Sequence, residues 1–206
     1  MIDPPPPDPG LEIVVASRGI SKGIAQTDGP QILVRPEIGI GAFRIGAYAK
    51  NVTSATSDGE AGLNFGASAR VAGFELSASA AWKHAIDAAA GSDRDAIELT
   101  GSASRRFGRV TLRVNLVWSP DDIGGTGRSF YVESSASYSV DRRTTIGTML
   151  ARRERDGGPD YTAYSFGVSR SLTGPLSAEL RFHDSSRSGL DDYYRARLVA
   201  SLRLRF

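Results

Sequence analysis

The chain has 206 residues, no cysteine, 23 glycines and a net charge of +2. Lack of cysteine excludes a disulfide scaffold, a thiolate metal site and a cysteine nucleophile; the small charge, with no basic cluster interleaved with aromatics, argues against nucleic acid. With 40% hydrophobic residues no run approaches the roughly 18 apolar residues of a membrane helix, but membrane strands escape that test because their apolar half alternates with a polar half.

Residues 1–10 form a proline-rich tail. Four consecutive prolines cannot donate to a strand ladder, so an extended lead-in is expected there. Met1 directly before IDPPPPDPG is read as a start residue on a mature form whose export signal has been removed. Residues 11–24 are expected as the first strand, with a muddled phase. From there a period of two places alternate residues on one face. Phe43, Ile45, Ala47 and Ala49 share a face, as do Leu63, Phe65, Ala67, Ala69 and Val71. The same rhythm continues through Phe74, Leu76, Ala78, Ala80 and Trp82, then Ile97, Leu99, Gly101, Ala103 and Phe107, with Arg105 as an interruption. Val110, Leu112, Val114, Leu116 and Trp118 give the clearest run, followed by Phe130, Val132, Ala136, Tyr138 and Val140. Residues 144–153 are a second strand of muddled phase. Tyr164, Phe166 and Val168, then Leu176, Ala178, Leu180 and Phe182, lead to a last strand over residues 193–206 that ends on Phe206.

The connections alternate as well. Very short ones fall at Gly41-Ala42, Ala72-Gly73, Gly108, Asp141-Arg142 and Thr173-Gly174, and long polar ones lie between them. Short turns at one end and long loops at the other characterise bacterial outer-membrane barrels. The fold expected is therefore all-β: an antiparallel transmembrane barrel of about twelve strands over residues 11–206, closed by pairing 11–24 with 193–206. Aromatics sort accordingly. Phe43, Phe74, Phe107, Tyr138 and Phe206 stand by the short turns; Trp82, Trp118, Phe130, Tyr131, Tyr161, Tyr164, Tyr193 and Tyr194 stand by the long loops. Two aromatic girdles suit two membrane interfaces.

The run Ala16-Ser17-Arg18-Gly19-Ile20-Ser21, then Pro30, then residues 41–52 reading GAFRIGAYAKNV, resembles the TorF family of porins, which carries an S-R-G-I-S motif in its first strand and closes on Phe. The match covers the first quarter of the chain. It departs at Glu60-Ala61-Gly62-Leu63-Asn64-Phe65, where the family is aromatic-rich, and at Tyr48, where it often has Trp. The resemblance implies a porin-like protein of the bacterial outer membrane and supplies no substrate.

On the strand parity above, Arg35, Arg44, Lys50, Arg70, Lys83, Arg106, Arg113, Arg181, Arg195, Arg197, Arg203 and Arg205 face inward with fewer acids, namely Glu37, Glu75, Glu98, Glu133 and Glu179. An excess of bases along a water-filled passage favours anions; the alternative is a closed Arg–Glu network filling the lumen. His183 and Ser185 form a His-x-Ser spacing of the kind used by lipid-acting barrel enzymes. Leu180 and Phe182 claim the lipid face, which turns that pair inward and away from lipid. Loop aspartates such as Asp87, Asp121, Asp156 and Asp191 suit solvated turns more than a cation site.

The function expected is an outer-membrane channel for passive diffusion of small hydrophilic solutes, mildly anion-selective, not an enzyme and without cofactor or metal. The alternatives are a phospholipase or lipid A deacylase type of barrel enzyme and a purely structural barrel. Expected partners are outer-membrane lipids and lipopolysaccharide, small polar or anionic solutes, and the barrel-assembly machinery through Phe206; no nucleic acid is expected.

Overall fold

The computed structural model describes residues 6–54 and 57–206. Its strands are β1 (Asp8–Ala16), β2 (Ile20–Ser21), β3 (Ile24–Ala25), β4 (Gln31–Ile40), β5 (Phe43–Asn51), β6 (Gly59–Val71), β7 (Phe74–Ile86), β8 (Asp95–Phe107), β9 (Val110–Asp122), β10 (Gly127–Ser139), β11 (Thr144–Arg155), β12 (Tyr161–Thr173), β13 (Leu176–Ser185) and β14 (Arg197–Arg205). All but β2 and β3 join, each antiparallel to its neighbours, into one closed barrel of twelve strands, as the alternation requires. The seam is β1 against β14, with Glu12 opposite Arg205 and Ala16 opposite Ser201. Closure leaves no unpaired edge, which a strand sheet in hydrocarbon cannot tolerate.

Alternation then fixes the two surfaces. Ile45, Leu63, Leu99, Leu116, Phe166, Leu180 and Leu198 point outward and are exposed. They belong to an apolar belt around the whole wall, far larger than a soluble monomer leaves in water. The thirteen-residue strands such as β7 and β9 are about 43 Å long at roughly 3.3 Å per residue. Tilted, that length crosses a hydrocarbon layer of about 30 Å.

Three expectations on element boundaries are corrected. The first wall strand starts at Asp8 within the proline-rich segment and ends at Ala16, not at residue 24; residues 1–5 of the expected tail lie outside the described residues. Beyond Ala16 the chain leaves the wall and enters the lumen as the β2–β3 hairpin. Lys22 and Gly23 both have positive φ, 49° and 84°, the pairing a tight two-residue hairpin turn demands. A Cβ on Gly23 would lie 2.3 Å from the Ala163 Cβ, so a side chain there would push the hairpin off β12. The Ser17-Arg18-Gly19-Ile20-Ser21 run therefore sits after the first strand rather than in it.

The last wall strand begins at Arg197 rather than residue 193. The Asp191 carboxylate accepts from the Tyr193 amide at the start of a 3-10 turn over Asp192–Tyr194. That turn rolls Tyr194 into the barrel, where its ring meets Tyr161 edge-on at 5.4 Å. Tyr131 and Tyr161 are likewise buried inside. These three do not belong to the girdle expected at the long-loop end, whereas Trp82, Trp118, Phe130 and Tyr164 do face outward there. The muddled phase of β11 has a simple cause. Arg152 and Glu154 point outward beyond the apolar belt, where Arg152 reaches Asp160 at 3.2 Å, while Met149, Ala151 and Arg153 face the lumen.

Candidate functional site

The polar half of each strand lines the lumen, and at the short-turn end that lining is basic. A chamber of about 730 Å³ is bordered by Arg106, Arg109, Arg142, Arg143 and Arg203, with Asp141 and Glu179 as its acids. A second, of about 490 Å³, holds Arg70, Glu75 and Arg113. Among the described residues Arg106, Arg109, Arg113, Arg142 and Arg143 have no carboxylate partner. Backbone carbonyls orient two of them: Arg106 Nε donates to Gly108 at 2.9 Å and Arg109 Nη1 to Val140 at 3.3 Å. Guanidinium groups held by a single carbonyl keep donors free for a passing anion.

At the seam one carboxylate serves three arginines. Glu12 takes Arg35 at 2.9 Å, Arg203 at 3.6 Å and the Arg205 guanidinium. Arg44 reaches Asp8 at 3.8 Å and Arg70 pairs with Glu75, both at the rim. Arg181 donates to Glu179 and, at 3.2 Å, to the Ser165 hydroxyl. These residues lead into a middle chamber of about 510 Å³ lined by Arg35, Glu133, Arg181, His183 and Arg203. Arg197 lies inward opposite His183, its guanidinium turned to the Arg195 and Asp192 carbonyls. Arg195 is the exception to the expected lining. It follows the 3-10 turn, outside the wall, and meets Asp192 at 3.6 Å while remaining exposed.

The inward direction of His183 is as the parity implies, and it is buried. Its neighbour does not serve it: the Ser185 hydroxyl donates to the Tyr194 carbonyl at 2.9 Å. Among the described residues His183 Nδ1 has no hydrogen-bond partner. A base and hydroxyl without a mutual hydrogen bond, both facing away from lipid, lack the geometry of an activated serine.

Above the middle chamber the β2–β3 hairpin crosses the lumen. Lys22 donates to Glu98 at 2.6 Å and to Asp122 at 2.9 Å. Asp122 also accepts from Lys83 at 2.7 Å, Arg153 at 2.9 Å and the Ser129 hydroxyl at 3.3 Å. Lys50 Nζ meets Gln26 Oε1 at 2.7 Å and Glu60 at 3.2 Å, and Tyr48 donates to Glu60 at 2.7 Å. The apolar side of the hairpin is seated too, because Ile24 packs on Tyr161, Ala163 and Tyr194. Lys50 was expected as a lumen base; Lys22, Asp122 and Arg153 were not. Their signals were weak. Lys22 lies in the first muddled stretch, Arg153 in the second, and Asp122 next to Asp121 looks like loop chemistry. The run ISKGIA, with an isoleucine on each side of a Lys-Gly turn, is the feature that could have announced a hairpin.

No family model matches the chain, and no curated protein sequence matches it. Solved structures do match in shape. A KdgM porin in complex with disordered oligogalacturonate aligns with a TM-score of 0.67 at 8% identity, over 96% of this chain and 99% of that one. A second KdgM porin structure gives 0.62 at 11% identity, over 96% and 99%. The NanC porin gives 0.63 at 7% identity, over 95% and 97%. At such identities the likeness establishes the fold: a twelve-strand porin barrel along essentially the whole chain.

Proposed function

We propose that this chain is a channel of the bacterial outer membrane, passing small hydrophilic solutes by diffusion with a mild preference for anions. The observation that carries the reading is the run of arginines without carboxylate partners bordering the short-turn chambers. In a narrow passage with low-dielectric walls, unpaired guanidinium groups raise the local anion concentration and repel cations. Small carboxylated or phosphorylated solutes are the cargo class, matched by the forked donors of Arg109, Arg113, Arg142 and Arg143. The barrel likeness to a porin solved with oligogalacturonate, a carboxylated sugar chain, supports the same class.

In this reading the long loops face outward among lipopolysaccharide, the short turns face the periplasm, and Phe206 is the signal offered to the barrel-assembly machinery. Membership of the TorF family rests on Ser17-Arg18-Gly19-Ile20-Ser21 and the hairpin residues that follow. The test is current across a planar bilayer holding the folded protein, with the reversal potential read in a KCl gradient. Chloride preference is expected, weakening as salt rises above about 0.1 M, where the screening length drops under about 10 Å. Replacing Arg106 and Arg113 with Ser should reduce it. A folded but silent barrel, or a pore that favours K⁺, would refute the proposal.

A further inference from the structure

The hairpin raises a question of charge that the wall arginines do not answer. The charged wall groups that the hairpin touches, together with their ion partners, are three bases, Lys50, Lys83 and Arg153, and three acids, Glu60, Glu98 and Asp122. They cancel. Lys83 already bridges Glu98 at 3.4 Å and Asp122 at 2.7 Å, and Arg153 holds the same Asp122 at 2.9 Å. The wall is thus electrically complete at this level without anything from the hairpin. Lys22 arrives as a fourth cation and leaves the crossing with one unbalanced positive charge.

Position singles out the same residue. The middle chamber of about 510 Å³, the long-loop chamber of about 340 Å³ and a side chamber of about 260 Å³ meet at the hairpin. Lys22 borders all three. Lys22 therefore stands where three chambers adjoin, whereas Arg106, Arg109, Arg113, Arg142 and Arg143 border one chamber each. Coulomb attraction grows as distance and dielectric fall, so a net charge on the hairpin that crosses the lumen acts at short range on a passing anion. We infer that Lys22, carried into the lumen by the β2–β3 hairpin, is the residue that sets the charge selectivity of the passage. This deepens the anion-channel reading and rests on it.

The experiment compares reversal potentials in a KCl gradient for the unmodified protein, Lys22→Arg, Lys22→Gln and Lys22→Glu. Folding of each is checked by the heat-dependent shift of the barrel on a gel. Because the wall pairs survive without Lys22, Lys22→Gln is expected to fold. The anion-to-cation permeability ratio should be kept by Lys22→Arg, fall towards one in Lys22→Gln and fall further in Lys22→Glu. An anion-preferring pore whose ratio does not respond to Lys22→Gln and Lys22→Glu overturns this inference alone and leaves the channel reading standing. A pore that favours K⁺ overturns the anion reading and this inference with it. A folded barrel without current overturns both.

Discussion

The Tyr161 hydroxyl donates to the Lys22 carbonyl oxygen at 2.9 Å, tying the lumen hairpin to a wall strand 139 residues further along the chain. Tyr161 is fully buried, and its ring supports Tyr194 on the other side. The barrel ladder does not depend on this bond, but the seating of the hairpin does. Tyr161→Phe keeps the ring and removes the donor, leaving a buried carbonyl without its partner at a cost of about 1 kcal/mol. Hydrogen exchange at the Lys22 and Gly23 amides should speed up about fivefold, the factor that energy implies. Exchange at β7 and β8 should not change. Equal hairpin exchange in the two proteins would mean the bond adds nothing.

Asp122 is the hub of the crossing, accepting from Lys22, Lys83, Arg153 and the Ser129 hydroxyl. In Asp122→Asn, Lys22 and Lys83 keep only Glu98, and Arg153 keeps no carboxylate. Removing one partner from a buried ion cluster leaves uncompensated charge, which costs about 3 kcal/mol where surrounding water is scarce. The urea midpoint of the folded barrel should fall with no change of slope. Adding Lys83→Met should restore part of the loss, because it takes out one of the stranded charges. A midpoint unmoved by Asp122→Asn would mean that water, not Asp122, neutralises these bases.

What the sequence disclosed follows from the environment each strand faces. A wall with lipid on one side and water on the other forces a period of two, so Val110, Leu112, Val114 and Leu116 announce β9 unaided. The same rule places Arg35, Arg181 and Arg203 inside. Parity fails where a segment leaves the wall. Ile24 packs inside on Tyr161, Ala163 and Tyr194, and together with Ile20 it mimics a continuation of β1. Arg195 has the parity of a lumen residue but sits after a 3-10 turn that breaks the register. Aromatic type is equally ambiguous. Tyr131, with its hydroxyl on Glu133 at 2.7 Å, satisfies a buried phenol inside the barrel as readily as an interface would outside. Lys22, Asp122 and Arg153 meet only through the tertiary fold, and no local pattern records that meeting.

Arg105 interrupts the apolar face of β8, and the structure supplies the reason. Its guanidinium carbon lies 4.9 Å from the centre of the Phe74 ring and 5.0 Å from that of Phe107, at the short-turn end of the belt. A cation stacked over two ring faces is attracted by their quadrupoles, by about 1 kcal/mol at a half-exposed site. Arg105→Gln should destabilise the barrel by about that amount, and Arg105→Lys should recover little, since an ammonium lacks the planar stacking surface. A double-mutant cycle with Phe74→Leu isolates the contact. Coupling energy indistinguishable from zero would reduce Arg105 to a solvated interface charge.

Asp141 offers a pH-dependent test at a short turn outside the membrane-spanning strands. Its carboxylate accepts the Arg143 amide at 2.6 Å and the Thr144 amide at 2.7 Å, pinning the connection from β10 to β11. These backbone donors favour the charged form and hold the carboxyl below the usual aspartate range. A lowered folded-state pKa stabilises the turn at any pH above the unfolded value. That contribution is lost as acid takes the pH down through the folded value. In detergent-solubilised protein the amide proton shifts of Arg143 and Thr144 should stay flat from neutral pH to about pH 4, then move with a midpoint below that of a free aspartate, about 3.9. Asp141→Asn should abolish the titration at both amides, and the same substitution should leave the barrel fold intact, since the ladder of β10 and β11 runs independently from Ser129–Arg155 to Ser139–Thr145. Amide shifts that titrate at or above the free-aspartate value would show that the turn does not hold its carboxylate, and Asp141 would then be a solvated turn residue.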